Sequence, residues 1–102
     1  IALMKLTIIK WRDIPTQVMI KKSRQEVEKI QLDRRFMEAV DSAATIAGAC
    51  DTETYLNEWN NELIEIPNGN MKEMVVIKAA EIDSEFTPNV LLGYVNNGGY
   101  KP

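Results

Sequence analysis

The sequence predicts an α+β domain in which a small, mostly antiparallel sheet of about three strands packs against helices. Two segments with strand-like alternation, 3–11 and 16–22, are joined by a short link that contains a proline. A helix with an apolar stripe follows them, and a third strand-like segment lies among further helices. The predicted order is β-β-α-α-β-α-α. With 102 residues and neither a repeat nor a linker, the chain is expected to form one domain, residues 1–102.

Residues 3–11 and 16–22 are the predicted hairpin, because apolar and polar side chains alternate in both. Trp11 falls on the more polar side of the first strand, so we expect that side to be partly covered. Pro15 fixes the turn, since its ring locks φ and keeps the preceding residue out of the helical region. Residues 23–31 are highly charged, and we expect a loop there with at most one helical turn.

The first predicted helix begins after Asp33, whose carboxylate can accept hydrogen bonds from the free N–H groups of a helix start. Its apolar residues recur every three or four positions and therefore share one face. They are Phe36, Val40, Ala43, Ala44 and Ala47. The alanines make this stripe narrow, so the helix can lie close to the sheet. Gly48 stands where a left-handed residue commonly ends a helix.

The remaining elements are indicated by their caps. Asp51 or Thr52 caps a second, short helix, and residues 61–66 form the third predicted strand. Asn70 starts a longer helix and Thr87 a final one, because both side chains can accept from the first free N–H groups.

Histidine is absent and cysteine occurs once, at Cys50, and these two counts exclude most catalytic and metal chemistry. The chain lacks the commonest general base near neutral pH and the usual zinc ligands. Cys50 has no histidine to activate it and no second cysteine to pair with, and nothing points to an oxidising compartment, so we expect a cytoplasmic protein. The acidic residues of 53–65 are typical of solvated positions. They are Glu53, Glu58, Glu62 and Glu65. We therefore expect no catalytic residue, no metal and no cofactor, and we lean against an enzyme.

The apolar runs, such as LTII and MVVI, are far shorter than the roughly 20 residues that span a bilayer. The opening segment IALMKLTIIK has no small-residue cleavage site and continues into a charged turn. We interpret it as the first strand rather than a secretory signal, and we expect no membrane partner.

Charge is distributed unevenly along the chain. Residues 5–35 carry nine cations and four acids, a net charge of +5, whereas residues 36–102 carry three cations and eleven acids, a net charge of −8. This asymmetry predicts a polarised surface. Three interpretations stay open: two solvated faces, a basic face that meets an anionic ligand or partner, and head-to-tail self-association.

The corner "WRDIPTQV", residues 11–18, holds the first group of candidate binding residues. In a functional interpretation, Arg12 is an anion-binding fork beside the wall of Trp11, and Asp13 orients it. In a structural interpretation, Trp11 packs over the sheet edge, Asp13 caps the turn, and Arg12 pairs with an acid. Gln17 fits either interpretation.

A basic segment supplies the second group, and its cations are Lys21, Lys22, Arg24, Lys29, Arg34 and Arg35. Two arginines at a helix start interact unfavourably with the helix dipole unless an anion neutralises them. This favours the binding of a phosphate, a carboxylate or an acidic partner segment. Nucleic acid is not expected, because the chain is acidic overall and its aromatic residues are not interleaved with the cations. The complete set of candidate binding residues is Trp11, Arg12, Asp13, Gln17, Lys22, Arg24, Arg34 and Arg35.

The chain resembles a bacterial family, the virulence factor domain, which is also a module of the conserved virulence factor C proteins. The resemblance rests on KLTIIKWRDIPTQV at residues 5–18, on residues 34–59, and on NVLLGYVNNGGY at residues 89–100. It implies an association with virulence but no catalytic residues. Short members of the family are often encoded beside one-carbon and corrinoid methyl-transfer genes, and the resemblance therefore implies an accessory role there.

We expect a non-enzymatic accessory or protein-interaction domain that acts through the Trp11–Val18 corner and the adjoining basic segment. The alternative is a small-ligand-binding or catalytic auxiliary subunit in folate or corrinoid one-carbon metabolism. The expected partner is a protein or an anionic small molecule, and a homodimer is also considered.

Overall fold

A computed structural model describes residues 3–49 and 51–102 of the chain. Four strands and four helices are present in this part, and the predicted α+β class is confirmed. The elements are β1 (Leu3–Trp11), β2 (Ile14–Lys21), β3 (Val27–Gln31), α1 (Arg34–Ala47), α2 (Thr52–Asn57), β4 (Trp59–Pro67), α3 (Met71–Glu85) and α4 (Pro88–Asn96).

The strands form one antiparallel sheet in the order β3-β2-β1-β4. The register between β1 and β2 shifts between Ile9 and Lys10, so that Lys10 lies opposite Pro15. Such a bulge interrupts the ladder and leaves a backbone group without its strand partner. The hydroxyl of Thr16 donates to the carbonyl oxygen of Ile9 over 2.9 Å, which satisfies the backbone at this position.

The strand β3 corrects our expectation of a loop at residues 23–31. Val27–Gln31 pairs with β2, and the backbone N–H of Lys22 donates to the carbonyl oxygen of Glu26 to close the hairpin. The strand was missed because only Val27 and Ile30 are apolar in it, and an edge strand with one solvated face gives a weak alternation signal.

The helix ends follow the predicted caps. The side chains of Asp33, Asp51, Asn70 and Thr87 each accept a hydrogen bond from a backbone N–H in the first turn of their helices. Gly48 ends α1 with φ +71°, the left-handed conformation expected there.

One face of the sheet is buried under helices. The helix α3 packs on β2 and β3, while α1 packs on β2 and on α4. Aromatic contacts join the three helices, since Phe86 lies 6.0 Å from Phe36 and 5.2 Å from Tyr94 between ring centroids. The strand residues beneath them are almost completely buried, and they include Met4, Leu6, Ile8, Val18 and Ile20.

The opposite face of the sheet carries the side chains that alternate with this core. We call it the open face and define it by Leu3, Lys5, Thr7 and Ile9 of β1, Gln17, Met19 and Lys21 of β2, Val27, Lys29 and Gln31 of β3, and Asn61, Leu63 and Glu65 of β4. Nine of these thirteen residues are exposed, three are half-buried, and Thr7 is buried at 5%. None of the described helices combines the length and the apolar character required to cross a membrane.

Candidate functional site

Trp11 is fully buried at the end of β1. Its indole Nε1 donates to the carbonyl oxygen of Tyr55 over 2.9 Å, and the two rings stack with centroids 5.8 Å apart. Trp59, which lies opposite Trp11 in the register of β1 and β4, meets Tyr55 edge to face. The indole therefore holds α2 against the end of the sheet through a hydrogen bond and ring stacking.

Arg12 adopts φ +54°, which is uncommon for a residue other than glycine. Its Nη1 donates to the carbonyl oxygen of Gly98 over 2.8 Å, and Nη2 approaches a carboxylate oxygen of Glu58 at 3.5 Å. The guanidinium lies 4.9 Å from the ring centroid of Trp11 and 4.7 Å from that of Tyr100. The side chain is thus held between two rings and two acceptors of its own chain, and its Nε has no partner among the described atoms.

Asp13 completes the contact with the C-terminal segment. Its backbone N–H donates to the carbonyl oxygen of Gly99 over 2.9 Å, and its carboxylate accepts from the backbone N–H of Lys101 over 2.8 Å. We call residues 11–13 together with residues 98–101 the clasp. The hydrogen bonds of the clasp connect the end of β1 to the residues that follow α4.

The other candidate residues do not gather around this corner. Gln17 lies on the open face, opposite Ile9 and Gln31. Lys22 and Arg24 are exposed in the turn between β2 and β3. This turn is at the far end of the sheet, roughly 26 Å from the corner at about 3.3 Å per strand residue.

Arg34 and Arg35 lie on the helical side of the sheet and differ from each other. Arg34 is 91% exposed and approaches Glu38 at 3.7 Å, one helical turn ahead. Arg35 contacts a carboxylate oxygen of Asp83 at 2.9 Å and donates to the carbonyl oxygens of Asp83 and Phe86. Arg35 therefore ties the start of α1 to the end of α3, whereas Arg34 is free to meet solvent.

Two acid–base groups among the described residues have shifted pKa values, one at the cap of α2 and one within it. Hydrogen bonds from the backbone and the hydroxyl of Thr54 lower the pKa of Asp51 below its ordinary value of 3.8. Burial, and to a smaller extent the charge of Asp41, raises the pKa of Tyr55. Both shifts have structural causes, a helix cap and an aromatic cluster, and neither creates a group that titrates near neutral pH.

The open face combines apolar and cationic side chains. Its apolar members are exposed to different degrees, and Leu63 is the most exposed of them at 67%. Its charged members are Lys5, Lys21, Lys29 and Glu65, a net charge of +2. No carboxylate of the described residues lies within ion-pair distance of the three lysines.

Two of these lysines oppose each other directly. Lys5 and Lys21 are register partners in β1 and β2, and like charges in this position destabilise an antiparallel pair. Glu65 is the register partner of Lys5 in β4 and neutralises only part of this positive charge. Our sequence interpretation included Lys21 and Lys29 in the basic segment but missed Lys5 and Leu63. The presence of apolar residues on the polar side of the predicted strands is the sequence signal that could have identified this face.

The described residues contain no group of three or more acidic or cysteine side chains placed to hold a metal ion. Cys50, for which we expected no catalytic role, lies outside the described residues.

A protein-family model described as "Virulence factor" matches residues 9–93 of the chain. The matched segment begins near the end of β1 and ends within α4, so it includes the corner, β2, β3 and β4. Neither the curated proteins nor the solved structures contain a match to the chain.

Proposed function

The chain belongs to the virulence factor family, and from this premise we propose that it is a protein-interaction domain whose open face docks an acidic segment of a partner protein. The observation that carries the proposal is the composition of that face. A sheet normally covers one side with a core and leaves a polar side to water. Here the solvent side combines exposed apolar residues with lysines, which is typical of a surface that becomes buried in a complex.

Charge selects the class of partner. The three lysines of the open face have no anionic counterpart in the described chain, and the Lys5–Lys21 pair is repulsive as it stands. A partner that brings carboxylates close to this pair would replace a repulsion with two attractions. Apolar contacts around Leu63 and Met19 would supply the burial that such a complex needs.

The clasp has a supporting role in this proposal. It holds the end of β1 against α2 and the C-terminal segment, and so keeps the strands of the open face in register. Within the Trp11–Val18 segment, we therefore propose that binding uses Gln17 and its neighbours on the open face rather than Trp11, Arg12 and Asp13. An anionic ligand at Trp11 would have to displace contacts that Arg12 and Tyr55 already make.

The one-carbon alternative and the cytoplasmic location stay predictions. Ligand binding beside Trp11 would change its fluorescence, because the indole is buried and hydrogen-bonded. Folate-like and phosphorylated compounds are the probes that test this alternative.

The proposal is tested with a tagged protein incubated in native lysate, first at low salt and then at high salt. Lys21→Glu reverses one charge on the open face, and Arg34→Glu makes the same change on the helical side of the sheet. We expect a partner, identified by mass spectrometry and then purified, to bind the wild type and the Arg34→Glu variant with similar affinity. The Lys21→Glu variant should bind it at least about tenfold more weakly, because rim and interface charges contribute on this scale.

Two results would contradict the proposal. The first is a purified partner that binds the Lys21→Glu and wild-type proteins equally well. The second is a partner whose binding is lost only with Arg34→Glu, which would place the interaction on the helical side.

A further inference from the structure

The helix α3 carries a second exposed apolar surface. Its buried side faces the sheet through Val75 and Ile82. Its solvent side carries another stripe at the helical spacing of three and four residues, which we call the α3 stripe. The α3 stripe consists of Glu73, Val76, Ile77, Ala80, Glu81 and Ser84, and all six residues are exposed.

An apolar stripe toward solvent is not expected of a surface helix that has only one partner. Such helices bury one face and expose charged residues on the other. Val76 and Ile77 are instead 54% and 53% exposed at the centre of the solvent side. The side chains of Ile77, Ala80 and Ser84 border a broad, shallow depression. The α3 stripe therefore has the same character as the open face, an apolar centre with charges beside it.

The two surfaces are opposite in charge. The α3 stripe contributes Glu73 and Glu81, with Glu85 beside the depression, whereas the open face carries three lysines and one glutamate. Their dimensions also agree. A helix of 15 residues is about 22 Å long, and a strand of nine residues spans about 30 Å. The open face can therefore accommodate the whole of α3.

Charge also decides how two copies of the chain can meet. Two open faces placed together would oppose lysines to lysines, and two α3 stripes would oppose glutamates to glutamates. Only the pairing of the open face of one copy with the α3 stripe of another brings opposite charges together. The arrangement repeats a packing that the fold already uses, since the inner side of α3 lies on β2 and β3 of its own sheet.

We propose that the chain associates with itself head to tail, with the α3 stripe of one copy on the open face of the next. The inference rests on the proposed function, because it makes a second copy the acidic partner of the open face. The contact is heterologous, so an open assembly keeps an unused open face at one end and an unused α3 stripe at the other. Such contacts build rings when the rotation closes and open chains when it does not.

The test uses two variants that each destroy one surface. Leu63→Asp places a carboxylate on the open face, and Ile77→Asp places one in the α3 stripe. Ile46→Asp is the control, because Ile46 is 54% exposed on α1, outside both surfaces. Molar mass is measured by sedimentation and by light scattering over a range of concentrations, and circular dichroism checks that each variant is folded.

The wild type and the Ile46→Asp variant should increase in mass with concentration, and high salt should reverse the increase. Each of the other two variants should remain a monomer, its self-association weakened by more than about tenfold, since a buried unpaired carboxylate opposes the contact. An equimolar mixture of Leu63→Asp and Ile77→Asp should form a complex of two chains and no larger species. In that mixture the first variant supplies its intact α3 stripe and the second its intact open face.

A wild type that stays monomeric at every concentration would overturn the self-association. The proposed function would still stand if an acidic partner from the lysate required Lys21, so the two failures are distinguishable. Self-association that survives both single variants would overturn the inference as well, because it would have to use other surfaces. A complex of two chains formed by either variant alone would contradict the heterologous arrangement.

Discussion

Nη1 of Arg12 donates to the carbonyl oxygen of Gly98 over 2.8 Å, and the two residues are 86 positions apart in the chain. The bond joins the end of β1 to the residues that follow α4. It is accompanied by the contact of the guanidinium with the ring of Tyr100. A single side chain therefore connects the hairpin corner to the C-terminal segment, and this connection can be tested by mutation.

Replacing Arg12 with alanine should lower the free energy of unfolding by about 2–3 kcal/mol. The variant loses a largely buried hydrogen bond to a charged donor and contacts with two rings, while the backbone strain at φ +54° remains. Arg34→Ala is the control, and it should change stability by less than about 0.5 kcal/mol because Arg34 is exposed. Urea denaturation measures both. Equal effects of the two substitutions would show that Arg12 has no special structural role.

Gly99 should not tolerate a side chain. A Cβ at this position would lie 2.8 Å from Cζ3 of Trp11, and φ is +96°. Gly48 also has a positive φ but no atom within 4 Å of such a Cβ, so Gly48→Ala measures the backbone cost alone. We expect Gly48→Ala to lower the free energy of unfolding by about 1 kcal/mol. Gly99→Ala should lower it by about 1–3 kcal/mol more. Thermal denaturation of the two variants measures this difference, which is the steric cost at Gly99. Equal losses of stability in the two variants would argue against the close packing of Trp11 on Gly99.

The cap of α2 should make stability depend on pH in the acid range. The folded pKa of Asp51 lies below its ordinary value of 3.8, so the unfolded chain binds the proton more tightly. The stabilisation from Asp51 is complete above that value and is lost as the pH falls through the lower, folded pKa. Asp51→Asn keeps a capping side chain but cannot titrate. Its stability should fall less steeply below pH 3.8 than that of the wild type, and parallel acid profiles would contradict the assignment.

Lys21 should lower the stability of the isolated domain, although the proposed binding of an acidic partner uses it. Lys21→Thr removes the repulsion with Lys5 and places a residue that favours strands, so it should stabilise the isolated domain by about 0.2–1 kcal/mol at low salt. The gain should shrink at high salt because exposed charges are screened. Lys22→Thr, one residue beyond the strand, should have no comparable effect. Lower stability of Lys21→Thr at low salt would show that the lysine pair is already compensated within the chain.

Helix boundaries and the first hairpin could be predicted from the sequence because their signals are local. Asp33 and Gly48 act within one turn of α1, and Pro15 restricts its own φ and its neighbour. The strand β3 could not be predicted in this way. Its ladder depends on β2, and its sequence VEKIQ carries little apolar alternation of its own.

The candidate binding residues also divide into those with a local sequence signal and those without one. The sequence identified Trp11, Arg12 and Asp13 as unusual, but their partners are 44 to 88 positions away, beyond any local pattern. The open face was not predicted for a similar reason. Leu63 and Lys5 become neighbours of Thr7 and Lys21 only through the register of three strands.

The clasp also has a consequence for the order of folding. Residues 98–101, which complete the hydrogen bonds of residues 11–13, are synthesised 86 to 88 positions after them. Contacts between such distant segments carry the largest loop-closure cost and are expected to form late. Substitutions in the clasp should therefore accelerate unfolding and leave the refolding rate nearly unchanged, so that the clasp lengthens the kinetic lifetime of the folded domain.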